Sequence, residues 1–484
     1  MLRDLIKEGG LYTLANLLTK GVSLLLIPFY SVYFTGAEYG ILALLGVSGA
    51  LIAAVFSFQI YQGMGRFISD QETSELEKKQ IASTSLFFTM GSYSIFILAA
   101  LAFKTQIIDL LSEDARVPTS VYYLWLGTLF LNSLFYTLGV QLKFLRKTKA
   151  YSVTSFLYAI FNILLILLFA LGLGYRLESF FLASIIVSPV IIIAQIYILR
   201  DDLMIYMGKE ALKKLLKFSA PLVPASAAYL ILNYTDRIFI KEINESLTDV
   251  GIYDMAFKFS AIVSLIIMAF QSALAPLIYE KYGEKETPFE LGRIFKLFIA
   301  LGTIGGLCLA LFSYETLYIF TQPIYYEASQ FMPLFYLSVL ITGLGMFSPG
   351  LHVMKKTKMI AVVVIITSAI NVALNYFFII EFGLTGAAIA TLISVLLNNL
   401  TLFVISQRLY KIEFKSSKIW RVVFIFCLFY FTGSYLNLLI EIEYMWLLTI
   451  KALLIFIFTL YLIKEKMLDV KRALQLIRSK TTRK

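Results

Sequence analysis

Residues 146–162 read RKTKAYSVTSFLYAIFN, and residues 355–371 read KKTKMIAVVVIITSAIN. Each stretch puts a basic cluster ahead of a long apolar run that ends in asparagine, and their starts lie 209 residues apart. Basic clusters beside apolar runs are common in membrane proteins. This match alone therefore does not separate chance from a chain built twice, and the rest of the sequence has to decide.

The chain has 484 residues, 59% of them hydrophobic and 15% charged, with a mean hydropathy of +0.82. Soluble domains carry roughly 25% charged residues. Apolar runs of about twenty residues recur from end to end, each long enough to cross a hydrocarbon core of roughly 30 Å as a helix. A bilayer offers no water to backbone amides, so such runs read as helices rather than strands. The expected fold class is an all-α polytopic membrane protein. The start, MLRDLIKEGG, passes into an apolar segment without a small-residue cleavage site and reads as a retained first helix.

Composition also narrows the chemistry. Cys308 and Cys427, the only cysteines, both fall inside apolar runs, which argues against a disulfide framework or a cysteine-rich metal site. His352 is the single histidine, so neither a histidine pair nor a histidine metal cluster is expected. No cofactor or metal is expected. The net charge of +11 is distributed as in a membrane protein, and nucleic acid is not an expected partner.

The expected spans are 9–33, 40–62, 81–103, 118–142, 150–173, 179–199, 218–240, 251–278, 294–312, 331–350, 359–380, 384–405, 419–437 and 445–463. Alternate connections test this count of fourteen, because the side richer in Lys and Arg should be cytoplasmic. Both termini and the segments 63–80, 143–149, 200–217, 279–293, 351–358 and 406–418 hold 32 such residues. The opposite connections (34–39, 104–117, 174–178, 241–250, 313–330, 381–383 and 438–444) hold four. A miscounted helix would mix the two sets from that point on, and no mixing occurs. Both termini are expected in the cytoplasm. The tail KEKMLDVKRALQLIRSKTTRK aligns Met467, Val470, Leu474 and Ile477 among basic residues, and reads as a helix resting on the anionic inner surface.

On this topology both opening stretches enter outward-running helices, the fifth and the eleventh. Gly40-Ile41 answers Gly251-Ile252 at 211 residues, Phe58-Gln59 answers Phe270-Gln271 at 212, and Ala183-Ser184 answers Ala390-Thr391 at 207. The expectation is two parallel six-helix repeats plus two C-terminal helices. The boundaries are 1–200 and 201–408 for the lobes, 409–463 for the extra pair and 464–484 for the basic tail. Parallel repeats are a transporter architecture, with the substrate site where the repeats meet.

Polar side chains inside the spans mark the candidate site. Thr13, Asn16, Lys20 and Ser23 share one face of the first helix, and Ser226, Tyr229, Asn233 and Asp236 share one face of the seventh, with Arg237 beside them. The second helix adds Gln59, Gln62 and Arg66, and the eighth adds Ser260, Ser264 and Gln271. Lys20 lies about eleven residues in, roughly 16 Å along the helix and near the midplane. A lysine there costs about 2.5–3.5 kcal/mol to insert, so it should meet water, a ligand or a carboxylate on another helix. Lys258 has Asp254 one turn before it, and an i,i+4 pair would account for both. Asp236 and Arg237 read equally as a gate or an interfacial pair, and Lys451 reads as a snorkelling side chain. Asn162, Asn371 and Asn375 read as bonds between helices. The prolines at 28, 221, 224, 276 and 349 read as bends.

The segments LNYTDRIFIK (232–241), after KFSAPLVPASAAYL (217–230), and INVALNYFFIIEFGLTGAAIATLIS (370–394) resemble Wzx-type polysaccharide-repeat flippases. These belong to the superfamily that also holds multidrug and lipid II exporters. The resemblance implies two lobes around a cavity lined by helices 1, 2, 7 and 8. Its substrate would be an undecaprenyl-pyrophosphate-linked oligosaccharide, flipped outward by alternating access across a bacterial inner membrane, for surface polysaccharide such as O-antigen. Further partners it implies are membrane lipids, a coupling ion (H+ or Na+), and polysaccharide polymerase and assembly proteins. The basic residues available for the pyrophosphate are Lys20, Lys258, Arg66 and Arg237. The polar lining would come from Asn16, Ser23, Gln59, Asn233 and Gln271. A non-enzymatic transporter is expected. A drug/cation antiporter of the same superfamily and a membrane polysaccharide polymerase are the competing readings.

Overall fold

The computed structural model describes residues 21, 26–70, 72–111, 117–281, 283–354, 356–436 and 444–468. Among these the regular structure is helical throughout, with no strand. In chain order the α-helices are α1 (Gly36–Phe56), α2 (Ile60–Ile68), α3 (Glu75–Ala102), α4 (Lys104–Leu111), α5 (Thr119–Phe144), α6 (Thr148–Leu167), α7 (Leu177–Leu199), α8 (Lys209–Ser219), α9 (Val223–Tyr234) and α10 (Asp236–Asn244). They continue as α11 (Leu247–Ser260), α12 (Val263–Lys281), α13 (Thr287–Leu311), α14 (Ser313–Phe320), α15 (Met332–Thr342), α16 (Pro349–Val353), α17 (Thr357–Leu409), α18 (Ser416–Leu436) and α19 (Tyr444–Lys464).

Eleven stretches among the described residues are long and apolar enough to cross a membrane, or twelve if the broken pair Pro323–Gln330 and Met332–Phe347, bent by 58°, is one span. Many of their apolar side chains face outward, including Ile95, Leu98, Phe424 and Phe431. That exposure suits lipid and would be unfavourable in water. The chain is an all-helical, multi-pass membrane protein. The count is lower than the expected fourteen, and two of the differences have visible causes. The expected first span, 9–33, falls mostly outside the described residues. The eleventh and twelfth run on as α17, a 53-residue helix interrupted at Gly383 (φ 57°, ψ −136°). That is a conformation open to glycine and strained for other residues, and it falls where the sequence reading puts the connection 381–383.

The described residues form two compact units. The first runs up to Met255 and includes Ala361–Thr391. In it, α1 opens with a capping box: the Thr35 hydroxyl accepts from the Glu38 amide (3.2 Å), and the Glu38 carboxylate accepts from the Thr35 amide (2.9 Å). Arg176 donates to the same carboxylate and lies 5.5 Å from the Tyr33 ring, tying two connections together. Asn162 of α6 donates to Ser184 of α7 (2.9 Å), the interhelical role expected of it.

Where α1 crosses α11 the backbones touch. A Cβ on Gly40 would strike the carbonyl of Leu247, and a Cβ on Gly251 would strike the carbonyl of Gly36. Gly36 and Gly40 are spaced as a small-xxx-small motif that lets helices approach closely. Each of the pairs 36/247 and 40/251 is separated by 211 residues, so the contact is reciprocal.

The second unit comprises Ala256–Ile360 and the residues from Leu392 onward. Its core is built on α13: Phe298, Leu307 and Leu311 are fully buried, with Val422 of α18 and Phe458 and Leu462 of α19 packed in the same cluster. Met467 joins that cluster at 4% exposure. The tail beyond Leu468, including the rest of its expected surface stripe, lies outside the described residues.

Lys451 corrects one expectation. It does not snorkel: it is 1% exposed, and its Nζ lies 2.7 Å from Oε1 of Glu315 in α14. Glu315 is itself 7% exposed, and its second carboxylate oxygen is buried without a hydrogen-bond partner among the described residues.

Candidate functional site

The seventh expected span is not one regular helix. Pro221 and Pro224 open a 3-10 turn (Ala220–Leu222) and then α9, so the chain changes helix type between α8 and α9. After α9 the chain restarts as α10, which brings Asp236 and Arg237 against α11. Arg237 is 0% exposed. Its Nη1 donates to Oδ1 of Asp236 (2.6 Å) and to the carbonyl of Asn233 (3.2 Å), and its Nη2 donates to Oδ1 of Asp254 (3.3 Å). The Tyr253 hydroxyl donates to Oδ2 of Asp236 (2.5 Å), and the Thr391 hydroxyl donates to the same oxygen (3.3 Å). The guanidinium also lies 5.1 Å from the Tyr253 ring and 5.6 Å from the Tyr234 ring. One planar cation thus bridges two buried carboxylates, a task for which a five-donor fork suits better than an ammonium.

Chemically this knot can hold α10, α11 and the helix carrying Thr391 in one geometry. An incoming anion would have to compete with both carboxylates for the guanidinium. Asp254 was expected to answer Lys258 one turn away; its Oδ1 accepts from Arg237, which the sequence reading did not anticipate. Lys258, in the second unit, is half-buried.

Gln59 stands at a break between α1 and α2. Phe58 (φ 46°) and Gln59 (φ 51°) are both left-handed, although neither is glycine. The Phe56 carbonyl accepts from Ser92 (2.6 Å), and Gln59 Oε1 accepts from Tyr61 (2.5 Å) and Gln62 (3.0 Å). Gln59 is buried, whereas Gln271, its counterpart in the expected repeat, is exposed on the unbroken α12. Arg66, in the last turn of α2, is exposed and stacks on Phe218 at 5.3 Å. Asn233 is half-buried and donates to the Tyr229 carbonyl (2.7 Å). Asn371 and Asn375 were expected to bond between helices; the Asn375 amide donates to Asn371 Oδ1 within α17 (3.0 Å). Thr13, Asn16, Lys20 and Ser23 lie outside the described residues.

Among the expected site residues, then, the structure joins Asn233 and Arg237, and it keeps Gln59 and Arg66 in separate local settings. Tyr253, Asp254 and Thr391 were not expected around Arg237. Asp254 and Tyr253 lie 17 and 16 residues from it, beyond any helical spacing rule, and Thr391 lies 154 residues away. Among the described residues no group of three or more His, Cys, Asp or Glu is placed to hold a metal.

The polysaccharide biosynthesis protein family matches residues 5–282, more than half of the chain, and the MatE family matches residues 221–377. No curated protein matches the sequence. Several solved structures share the fold. The lipid II flippase MurJ in an inward closed conformation is 16% identical with a TM-score of 0.72, over 93% of this chain and 97% of that one. A multidrug resistance MATE family transporter of the MOP superfamily, inward-facing, is 15% identical with a TM-score of 0.67, over 82% and 94%. An outward-facing structure described in the same terms gives 16% and 0.62, over 84% and 95%. The fold is the one these transporter structures share. The chain belongs to the polysaccharide biosynthesis protein family.

Proposed function

We propose that the protein flips undecaprenyl-pyrophosphate-linked oligosaccharide repeat units from the cytoplasmic to the outer leaflet of a bacterial inner membrane by alternating access. The observation that carries this reading is family membership over residues 5–282, combined with a fold shared with a lipid II flippase along nearly the whole chain. We keep the finer architecture of fourteen spans, with six-helix lobes at 1–200 and 201–408, an extra pair at 409–463 and a basic tail from 464. The candidate ligands for pyrophosphate are Lys20, Lys258 and Arg66, with Asn16, Ser23, Gln59, Asn233 and Gln271 as polar lining. Arg237, bound to two carboxylates, acts as a positioning residue. An inside-negative potential assists outward movement of the anion by about 2.3 kcal/mol per charge per 100 mV.

The direct test is leaflet-resolved detection of lipid-linked oligosaccharide in cells depleted of the protein. Accumulation in the inner leaflet is expected, and an unchanged distribution would refute the reading. Lys20→Ala should insert normally and lose most flipping, while Lys20→Arg keeps much of it. A charge-assisted contact worth about 1.5–3 kcal/mol changes binding roughly ten- to over a hundredfold. Wild-type flipping by a well-folded Lys20→Ala protein would remove it from the site. The MatE match over 221–377 favours drug/cation antiport as the second reading. Cation-driven drug efflux with unchanged lipid-linked sugar would select it.

The proposed sidedness rests on the ratio of 32 basic residues to four. In a background lacking Cys308 and Cys427, Arg146→Cys, Glu210→Cys and Lys356→Cys should label only from the cytoplasm. Asp109→Cys and Glu327→Cys should label from outside. The reverse pattern would invert the protein.

A further inference from the structure

Between α7 and α8 the chain runs through DDLMIYMG (201–208), and Ile205 there is 97% exposed, the highest value for a large hydrophobic side chain among the described residues. Met207 is 57% exposed. Isolated exposed apolar residues are ordinary, but this one is held outward by its neighbours. The Met204 amide donates to the Ser83 hydroxyl (2.9 Å) and the Gly208 amide donates to the Thr84 hydroxyl (3.3 Å). Ser83 and Thr84 are fully buried, adjacent residues of α3. Upstream, Lys147 pairs with Asp202 at 2.5 Å. The loop is therefore pinned on both sides of Ile205.

The anchor points also fix depth. The helix α3 has 28 residues, and its charges (Glu75, Glu77, Lys78 and Lys79) all precede Ser83. The twenty residues from Ser83 to Ala102 match the length needed to cross a hydrocarbon core. Ser83 and Thr84 thus lie at the boundary of that core, and Ile205 is presented at the same level.

The next helix supplies the complementary charge. On α8, Lys209, Lys213 and Lys217 follow at four-residue spacing on one exposed face, while Leu215 and Ser219 are buried on the other. Lys214 pairs with Glu77 of α3 (2.6 Å), which fixes the helix against the span. An apolar wedge at the core boundary followed by a row of lysines matches the acyl chains and phosphates of an anionic leaflet. We propose that residues 201–217 form an interfacial anchor, with Ile205 and Met207 inserted into the lipid and Lys209, Lys213 and Lys217 on anionic headgroups. This rests on the chain spanning a membrane and not on the identity of its substrate.

The test places an environment-sensitive NBD label on Ile205→Cys, in the full chain lacking Cys308 and Cys427, reconstituted in vesicles of phosphatidylcholine and phosphatidylglycerol. Asp201→Cys serves as the water-exposed control. The expected result is blue-shifted emission at 205, quenched more by a nitroxide high on the acyl chain than by one at its end, with water-like emission at 201. Combining Ile205→Cys with Lys209→Gln, Lys213→Gln and Lys217→Gln should lose the increase in quenching that phosphatidylglycerol produces over phosphatidylcholine alone. Water-like emission at 205 would overturn the anchor. Blue-shifted emission that lipid nitroxides fail to quench would also overturn it, because the occupant would then be protein. Position 205 packs against little, so the label leaves folding intact, which a monodisperse gel-filtration profile checks.

Discussion

Arg237→Ala should lower the stability of the purified protein by about 3–5 kcal/mol, the range seen when one partner of a buried ion pair is removed. The reason is the two carboxylates left behind. Asp236 and Asp254 are 2% and 7% exposed, so neither regains full hydration when the guanidinium goes. Arg237→Lys should fall between the two, because an ammonium keeps the charge and loses the fork that reaches Asp236, Asp254 and the Asn233 carbonyl together. Adding Asp254→Asn to Arg237→Ala should recover part of the loss, since one buried negative charge disappears. Thermal unfolding in detergent measures all four proteins. An alanine variant that melts with the wild type would show that the knot is dispensable to the fold.

The second large effect is expected at Lys451. Lys451→Ala strands Glu315, which has one oxygen already lacking a partner among the described residues, and should also cost about 3–5 kcal/mol. Lys451→Met combined with Glu315→Met should restore most of that loss, because replacing both members of a buried pair by hydrophobic groups of similar volume is often neutral. The loss should also be local. The pair joins α19 to α14, so limited proteolysis should first release the α18–α19 segment from Lys451→Ala. Equal protease resistance in the single variant and the wild type would count against this clamp.

These two sites also mark where the sequence was readable and where it was not. Apolar length identified an all-helical membrane protein, and the kink at Gly383 falls in the connection read at 381–383, because a glutamate and a glycine interrupt the apolar runs there. Bonds between neighbouring helices were partly readable, as with Asn162 and Ser184. Lys451 was misread because its partner lies 136 residues away, and nothing local distinguishes a paired lysine from a snorkelling one. The contact of Arg237 with Asp254 was not readable, because the two lie 17 residues apart, beyond the i,i+4 rule that links Asp254 to Lys258. The break at Phe58-Gln59 carried no glycine or proline to announce it. It exists because Ser92 and the Gln59 cluster satisfy the polar groups that the break exposes.

The meeting of Gly40 with Gly251 leaves no room on either helix. The carbonyl of Leu247 lies where a side chain on Gly40 would go, and the carbonyl of Gly36 lies where one on Gly251 would go. A methyl group at either position therefore has to push two backbones apart, because a carbonyl cannot turn aside as the end of a flexible side chain can.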